Sequence, residues 1–253
     1  MTVPVRAGCE PFSFEGGPVG ILMIHGLTGN PASLRQVGQW LAARGHAVAC
    51  PLLPGHGTEW RDLGSVRWRD WERVADTAFR ELVERCQGVI VFGLSFGAAL
   101  ALHLAARNPE LVRGVVVVNA YVRDPRILAA PIIWPFLRSV KGIGNDVKKP
   151  GADELPYERL SVRGVAEMAR LLRVLSRELP SVHQPLLVFN APDDHVVPKR
   201  TAEWLLRRVG SPRRELIELP NSYHVATIDN DAELIFERTH EFAEALVAPH
   251  GAT

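Results

Sequence analysis

The chain has 253 residues, 47% of them hydrophobic and 23% charged, with a formal net charge of +1 at pH 7. That length suits one α/β domain with a large core and room for a small insertion. The near-neutral balance, with no run of Lys and Arg interleaved with aromatics, leaves no electrostatic basis for a nucleic-acid partner.

Three cysteines, Cys9, Cys50 and Cys86, show no metal-ligand spacing. Cys50 and Cys86 sit beside apolar runs and read as buried thiols. No metal and no cofactor is expected. The N-terminus has no charged region followed by a long apolar stretch, so no signal peptide is visible. The longest apolar window, Ile127 to Leu137, is broken by Pro131 and Pro135 and is too short to span a bilayer. The expectation is a soluble, cytoplasmic protein without stable membrane insertion, with a homodimer left open. No internal repeat or low-complexity segment is present.

Val3–Arg6 and Phe12–Phe14 are expected to form a short hairpin, closed by Glu15-Gly16-Gly17-Pro18. Val19–Ile24 is an unbroken apolar run, which predicts a strand buried on both faces. It runs into His25-Gly26-Leu27-Thr28-Gly29-Asn30-Pro31. A Gly-rich turn at the C-terminal end of a strand lets backbone amides face a ligand, and the Leu27 amide is the candidate oxyanion donor. His25 is expected to brace this loop rather than transfer protons. The same residues also read as a plain strand–helix connection, with Asn30 as N-cap and Pro31 at the first helical position. The two readings are compatible.

From Pro31, the spacing of Leu34, Val37, Trp40 and Leu41 predicts an amphipathic helix that Gly45 stops. Ala47–Cys50 is the next strand. It leads into Pro51-Leu52-Leu53-Pro54-Gly55-His56-Gly57, where His56 lacks carboxylate or cysteine neighbours at ligand spacing and reads as structural. Trp68, Trp71, Val74, Ala75, Ala78, Phe79 and Leu82 recur at helical spacing and predict a core-facing helix.

Val89-Ile90-Val91-Phe92 is a buried-strand run, and Ala98-Ala99-Leu100-Ala101-Leu102 is a helix former. Between them lies Gly93-Leu94-Ser95-Phe96-Gly97, the Gly-x-Ser-x-Gly pattern of a nucleophile on a sharp turn. A serine hydroxyl attacks well only when it projects clear of its neighbours. Such a turn strains the serine backbone and crowds strand against helix, where Gly93 and Gly97 avoid a clash. The Phe96 amide opens the helix and points where a developing oxyanion would sit.

The elbow helix ends near Arg107-Asn108-Pro109, and Val115–Ala120 is another buried strand. From Tyr121 to Val182 the strand–helix alternation breaks, over about sixty residues, far more than a crossover needs. Residues 121–182 read as an inserted cap over the site. Its apolar residues, Ile127, Leu128, Ile132, Ile133, Trp134, Phe136 and Leu137, are expected to shape a pocket for an apolar group. A later helix pattern places Val165, Met168, Leu171, Leu172, Leu175 and Leu179 on one side. Residues 1–120 and 183–253 are then the core domain. The alternative is a long crossover packed as ordinary core.

Pro185–Asn190 resumes the sheet and leads to a polar loop, Ala191-Pro192-Asp193-Asp194-His195-Val196-Val197-Pro198. A helix over Thr201–Val209 and a strand over Glu215–Leu219 follow. Then come Pro220-Asn221-Ser222-Tyr223-His224-Val225 and a last helix from Ala232 to Val247.

The order of Ser95, an Asp after a later strand and a His after the last strand suits nucleophilic catalysis, because the C-terminal ends of parallel strands share one sheet edge. Free serine is a poor nucleophile, so His224 would take its proton as attack begins. A carboxylate would fix the imidazole tautomer. Asp194 is preferred, although the residues alone hardly separate it from Asp193, and His195 is a rival base.

The set His25–Asn30, Pro54–Gly57, Trp68-Arg69-Asp70-Trp71, Gly93–Gly97, Asp194–Pro198 and Ser222–Val225 resembles the bacterial carboxylesterases and monoacylglycerol lipases of the α/β-hydrolase superfamily. The resemblance covers nearly the whole chain except the cap. It implies an α/β-hydrolase fold, a mostly parallel central sheet flanked by helices, with a small inserted cap. It also implies Ser95 as nucleophile, Asp194 as acid, settled over Asp193 by the Asp-x-Val-Val-Pro spacing, and His224 as base. Leu27 and Phe96 would supply the oxyanion amides. The family pattern has a further Gly after the elbow, where this chain has Ala98. The implied substrates are small-molecule acyl esters with a medium or long chain, monoacylglycerols among them. Rival readings are a thioesterase, amidase or C–C hydrolase with the same triad, and a ligand receptor of the same fold without turnover.

Overall fold

A computed structural model describes residues 3–247. The main sheet has seven strands: β1 (Phe12–Phe14), β2 (Val19–Ile24), β3 (Ala47–Cys50), β4 (Gly88–Leu94), β5 (Val112–Val118), β8 (Leu186–Asn190) and β9 (Arg214–Glu218). Their spatial order is β1-β3-β2-β4-β5-β8-β9. Every neighbouring pair is parallel except β1 with β3. The remaining two strands, β6 (Ser139–Lys141) and β7 (Arg159–Ser161), form a separate antiparallel pair.

The central strands are buried on both faces, so their apolar runs divide with period two between two cores. Ile21, Met23, Ile90, Phe92, Val116 and Val118 point to one core. There they meet Leu34, Val37 and Leu41 of α1 (Ala32–Ala42) and Ile235, Phe236 and Phe242 of α7 (Ala232–Val247). Leu22, Ile24, Val89, Val91, Val115 and Val117 point to the other. That core is closed by α2 (Trp68–Arg85), α3 (Phe96–Arg107), α5 (Val162–Glu178) and α6 (Thr201–Arg208). Among the described residues, no helix is long and apolar enough to cross a membrane.

The expected N-terminal hairpin does not form. Residues 3–6 take no strand, and β1 pairs instead with the free edge of β3, Phe12 opposite Cys50. Packing decides this. The Phe12 ring fits against α1 at Gly38, where a Cβ would lie 2.5 Å from the ring. Residues 3–6 follow another path, with the Arg6 guanidinium donating to the Leu155 carbonyl at 2.7 Å. Cys50 is buried as expected, Cys9 is buried as well, and Cys86 is only half-buried.

Residues 121–182 leave the sheet after β5 and return to it at β8. They hold a 3-10 turn (Pro125–Ile127), a short turn of α-helix, α4 (Ala130–Ile133), then β6, β7 and α5, which runs into a second 3-10 turn (Leu179–Ser181). α5 has ten buried residues, and Val165, Ala166, Met168, Leu171 and Leu175 belong to the core shared with α2 and α3.

The elbow is tightly packed. A Cβ on Gly93 would sit 2.5 Å from the Ala98 backbone, and one on Gly97 would overlap the Ile24 carbonyl. Gly97→Ala is therefore expected to cost about 3 kcal/mol or more, since neither backbone can retreat without opening the sheet. Urea denaturation against wild type checks this; an unchanged midpoint would show that α3 can slide.

Candidate active site

Ser95 joins β4 to α3 with φ 56° and ψ −120°, a conformation that L residues rarely adopt. The sheet enforces it. The Ser95 amide donates to the Val118 carbonyl at 2.9 Å, continuing the β4–β5 ladder, while its own carbonyl already accepts from the Ala98 amide. The chain must reverse within one residue, and the side chain is left projecting into a pocket.

His224 and Asp194 arrive from the loops after β9 and β8. The Ser95 hydroxyl donates to His224 Nε2 at 2.9 Å, and His224 Nδ1–H donates to Asp194 Oδ2 at 2.8 Å. The network assigns this tautomer. The other Asp194 oxygen accepts from the Val196 and Val197 amides at 2.7 and 2.9 Å, so the carboxylate is fixed before it meets the imidazole. Burial alone would lower the His224 pKa, but the Asp194 carboxylate, helped by Glu154 and Asp146, outweighs it and holds the imidazole above its usual value.

The two rivals lie elsewhere. Asp193 is exposed, with an oxygen 3.8 Å from Lys148 Nζ. His195 is exposed and hydrogen-bonds Asp146 at 2.8 Å. The Leu27 and Phe96 amides border the same pocket, and neither has a protein acceptor among the described residues. Gly26 passes beside the serine, with the position of a Cβ there 3.5 Å from the Ser95 Cβ, an ordinary packing distance.

His25 braces the loop. Its Nδ1–H donates to the Gly26 carbonyl at 2.9 Å and its Nε2 accepts from the Leu53 amide at 3.2 Å. Burial pushes its pKa down to about 3 and that of His56 down to about 4, so both rings are neutral. His56 stacks edge-on against His25 and Trp71. Asn30 caps α1 through its side chain, accepting from the Ala32 amide at 2.9 Å, while its Nδ2 donates to the Glu154 carbonyl at 2.9 Å.

Three residues that sequence reasoning passed over support the site. Asn119 ends β5 with φ 45°. Its Nδ2 donates to the His224 and Tyr223 carbonyls at 2.8 and 3.1 Å, and its Oδ1 accepts from the Ala191 amide at 2.7 Å. One side chain thus ties together the loops that carry Asp194 and His224. Asp146 accepts from the backbone amides of His224 and His195 at 3.2 and 3.3 Å. Glu154 lines the pocket, where burial pushes its carboxyl up to about 7. Asn119 gave a faint signal as an amide closing a run of valines; the other two gave none.

Apolar walls come from Ile127, Ile143, Leu160, Val165, Met168 and Val196. Leu128, Ile132, Ile133, Phe136 and Leu137, expected to shape the pocket, are exposed instead, and Trp134 lines a separate cleft. Elsewhere, His46, His240 and Glu244 bring ligand-type atoms within 4.8 Å of one another. The two imidazoles there hydrogen-bond each other at 2.8 Å, on elements that contribute nothing to the pocket.

A family model described as serine aminopeptidase, S33, matches residues 19–231. The chain is 39% identical over 240 residues to a thermostable monoacylglycerol lipase of Bacillus sp. (strain H-257), covering 94% of this chain and 96% of that protein. It is 24% identical to a carboxylesterase of Bacillus subtilis (strain 168), covering 94% and 97% respectively. A solved structure from work on two metagenome-derived lipolytic enzymes, LipS and LipT, superposes with TM-score 0.92 at 37% identity, covering 96% of this chain and all 100% of that one. The chain belongs to the serine aminopeptidase, S33, family of α/β hydrolases, and within it aligns end to end with bacterial ester hydrolases.

Proposed function

We propose that the protein is a serine carboxylic-ester hydrolase in which Ser95 is the nucleophile, His224 the general base and acid, and Asp194 the carboxylate that orients it. The observation that carries this reading is the unbroken hydrogen-bonded line from the Ser95 hydroxyl through His224 to Asp194, opening on an apolar pocket.

As Ser95 Oγ attacks the ester carbonyl, its proton passes to His224 Nε2. The carbonyl oxygen becomes an oxyanion held by the Leu27 and Phe96 amides, the second reinforced by the α3 dipole. Asp194 offsets the imidazolium charge and does not itself take up the proton. The imidazolium then protonates the leaving alcohol, and an acyl-Ser95 intermediate remains. Water entering the alcohol site gives its proton to His224 and attacks the acyl carbon; the second tetrahedral adduct collapses to acid and free Ser95.

The Ile127, Leu160, Val165 and Met168 side chains suit a medium or long acyl chain. Glu154 offers a carboxyl acceptor to an alcohol part that carries hydroxyls, as a monoacylglycerol does. In this reading residues 121–182 act as the cap and residues 1–120 with 183–253 as the core that carries the triad.

Ser95→Ala is expected to abolish ester hydrolysis with the unfolding midpoint unchanged; full activity in that variant would remove the nucleophile. Asp194→Asn is expected to lower kcat by about a thousandfold or more through the wrong tautomer, with Asp193→Asn near wild type. A reversed ranking would move the acid. Because Asp194 raises the His224 pKa, the base form is lost as pH falls from above 6.5, and kcat/KM should fall with it. Parallel assays with ester, thioester and amide substrates of one acyl chain should rank the ester first. Chain-length profiling should favour medium or long acyl esters, and a clear preference for acetyl esters would argue against the apolar pocket.

Glu154 adds a stability test. Its folded pKa of about 7 lies above the 4.5 of a free carboxyl, so the folded state holds its proton more tightly. Stability is then fully present below pH 4.5 and lost as pH rises through 7. At about 1.4 kcal/mol per unit the loss is on the order of 3 kcal/mol. Glu154→Gln should flatten the denaturation profile between those pH values. A profile as steep as wild type would place the loss on other groups.

A further inference from the structure

His46 is 2% exposed, an imidazole folded into the body of the protein in the turn that leads from α1 into β3. Taking so polar a ring out of water costs free energy unless its nitrogens find partners. The partner of its Nε2 is His240 Nδ1 at 2.8 Å, in the second half of α7 and 194 residues away. Glu244 is four residues further along the same helix, so the helical repeat sets it on the same face as His240. Its Oε1 stands 3.9 Å from His46 Nε2. Three donor atoms from two distant parts of the chain thus lie within 4.8 Å of one another.

A hydrogen bond between two imidazoles needs a lone pair on one side, so one of the facing nitrogens is already unprotonated. Moving the proton of the other to the far nitrogen of its own ring frees the second lone pair, with no net loss of protons. Glu244 supplies the single negative charge of the group. It has no other ion-pair partner among the described residues, and its side chain is 61% exposed and free to swing. A tetrahedral ion with bonds of about 2.0–2.1 Å holds its ligand atoms about 3.3 Å apart. The imidazoles need to part by about 0.5 Å and the carboxylate to approach by about as much. Trp40 stands edge-on to His240 with ring centroids 6.1 Å apart and tilts against Phe236 at 5.9 Å, so apolar rings cover one flank of the donors.

We propose that His46, His240 and Glu244 form a binding site for a divalent cation of the zinc class, with solvent as the fourth ligand. Two imidazoles and one carboxylate suit a borderline ion, whereas calcium and magnesium ask for more oxygen ligands than these side chains offer. The role of the ion is structural. His46 immediately precedes β3 and so lies at the N-terminal edge of the parallel strands, while Ser95, Asp194 and His224 follow strands and lie at the C-terminal edge. The ion joins α7 to the turn before β3, a cross-link between parts of the chain 194 residues apart. It stabilises the folded state because the unfolded chain does not hold the three donors together. The site stands apart from the ester-hydrolase reading and does not depend on it.

The test is calorimetric titration of chelator-treated, dialysed protein with ZnCl2. One ion per chain should bind, with a Kd in the micromolar range or tighter. His240→Ala should weaken that binding by about a hundredfold or more and Glu244→Gln by about tenfold, since a lost ligand costs at least as much as a lost outer partner. Co2+ in place of zinc should give the intense visible absorption of a tetrahedral ion, absent from the His240 variant. At about a hundredfold excess over Kd, zinc should raise the Tm of the wild type by about 5 °C and that of His240→Ala by less than about 1 °C. Should His240→Ala fail to fold, the exposed change Glu244→Gln carries the same comparison. A stoichiometric amount of zinc should leave kcat/KM on a water-soluble short ester within about twofold, as befits an ion at the far edge of the sheet. Absence of saturable binding overturns the proposal. So does binding or a Tm gain equal in the wild type and the variants, or inhibition that rises in step with binding, since each would place the ion on other imidazoles.

Discussion

At Gly97 the first turn of α3 presses on the end of β2 so closely that only a hydrogen atom fits between the Cα and the Ile24 carbonyl. The same crowding at Gly93 sets Ser95 into its positive-φ turn, because the chain must leave β4 and begin α3 without an intervening loop. The strain is held by the ladder on one side and the helix on the other. With the serine fixed at the C-terminal edge of the sheet, the Phe96 amide is automatically the free first donor of a helix. Ala98 packs into the core and not into the reacting space.

The remaining members of the site come from loops, and loops need cross-bracing to hold a geometry of tenths of an ångström. Asn119 supplies it from the end of β5, donating to the carbonyl of His224 and accepting from the amide that follows β8. Asp146 supplies it from the segment between β6 and β7, by accepting from the His224 amide. Tyr157 reaches in the same direction, its amide bonded to the Thr28 carbonyl, and Asn30 spans the same gap. Residues 121–182 are therefore bonded to the elbow-side loop and to the histidine loop at once. A movement of this segment would be felt at His224 through hydrogen bonds rather than through bulk packing.

That segment also shows how one stretch of chain serves two solvents. Val165 and Met168 on α5, with Ile127 ahead of it, close the pocket from above. Ile132 and Phe136 point the other way, into the open. Apolar side chains on both sides of so thin a layer leave little apolar interior of its own, and its stability must come from α5 below and from the side-chain bonds to the sheet loops.

Much of the fold was legible because its signals are local. A run such as Val115–Val118 is a buried strand whatever surrounds it, and the glycines flanking Ser95 answer a clash between adjacent turns. The order of Ser95, Asp194 and His224 along the chain followed from a single parallel sheet edge. What the residues alone left open needed neighbours that are distant in sequence. Asp193 and Asp194 have the same chemistry and differ only in which side of the loop each faces. Asn119, Asp146 and Glu154 take their roles from partners dozens of residues away, through contacts that no periodicity encodes. Residues 3–6 carry two valines around Pro4, and the free edge on β3 with the gap at Gly38 gave the pairing to Phe12–Phe14. The sequence shows that Ile132 and Phe136 are apolar, but hydrophobicity has no direction along the chain. Only the path of the backbone over the pocket decides whether such a side chain is turned toward the core or toward the outside.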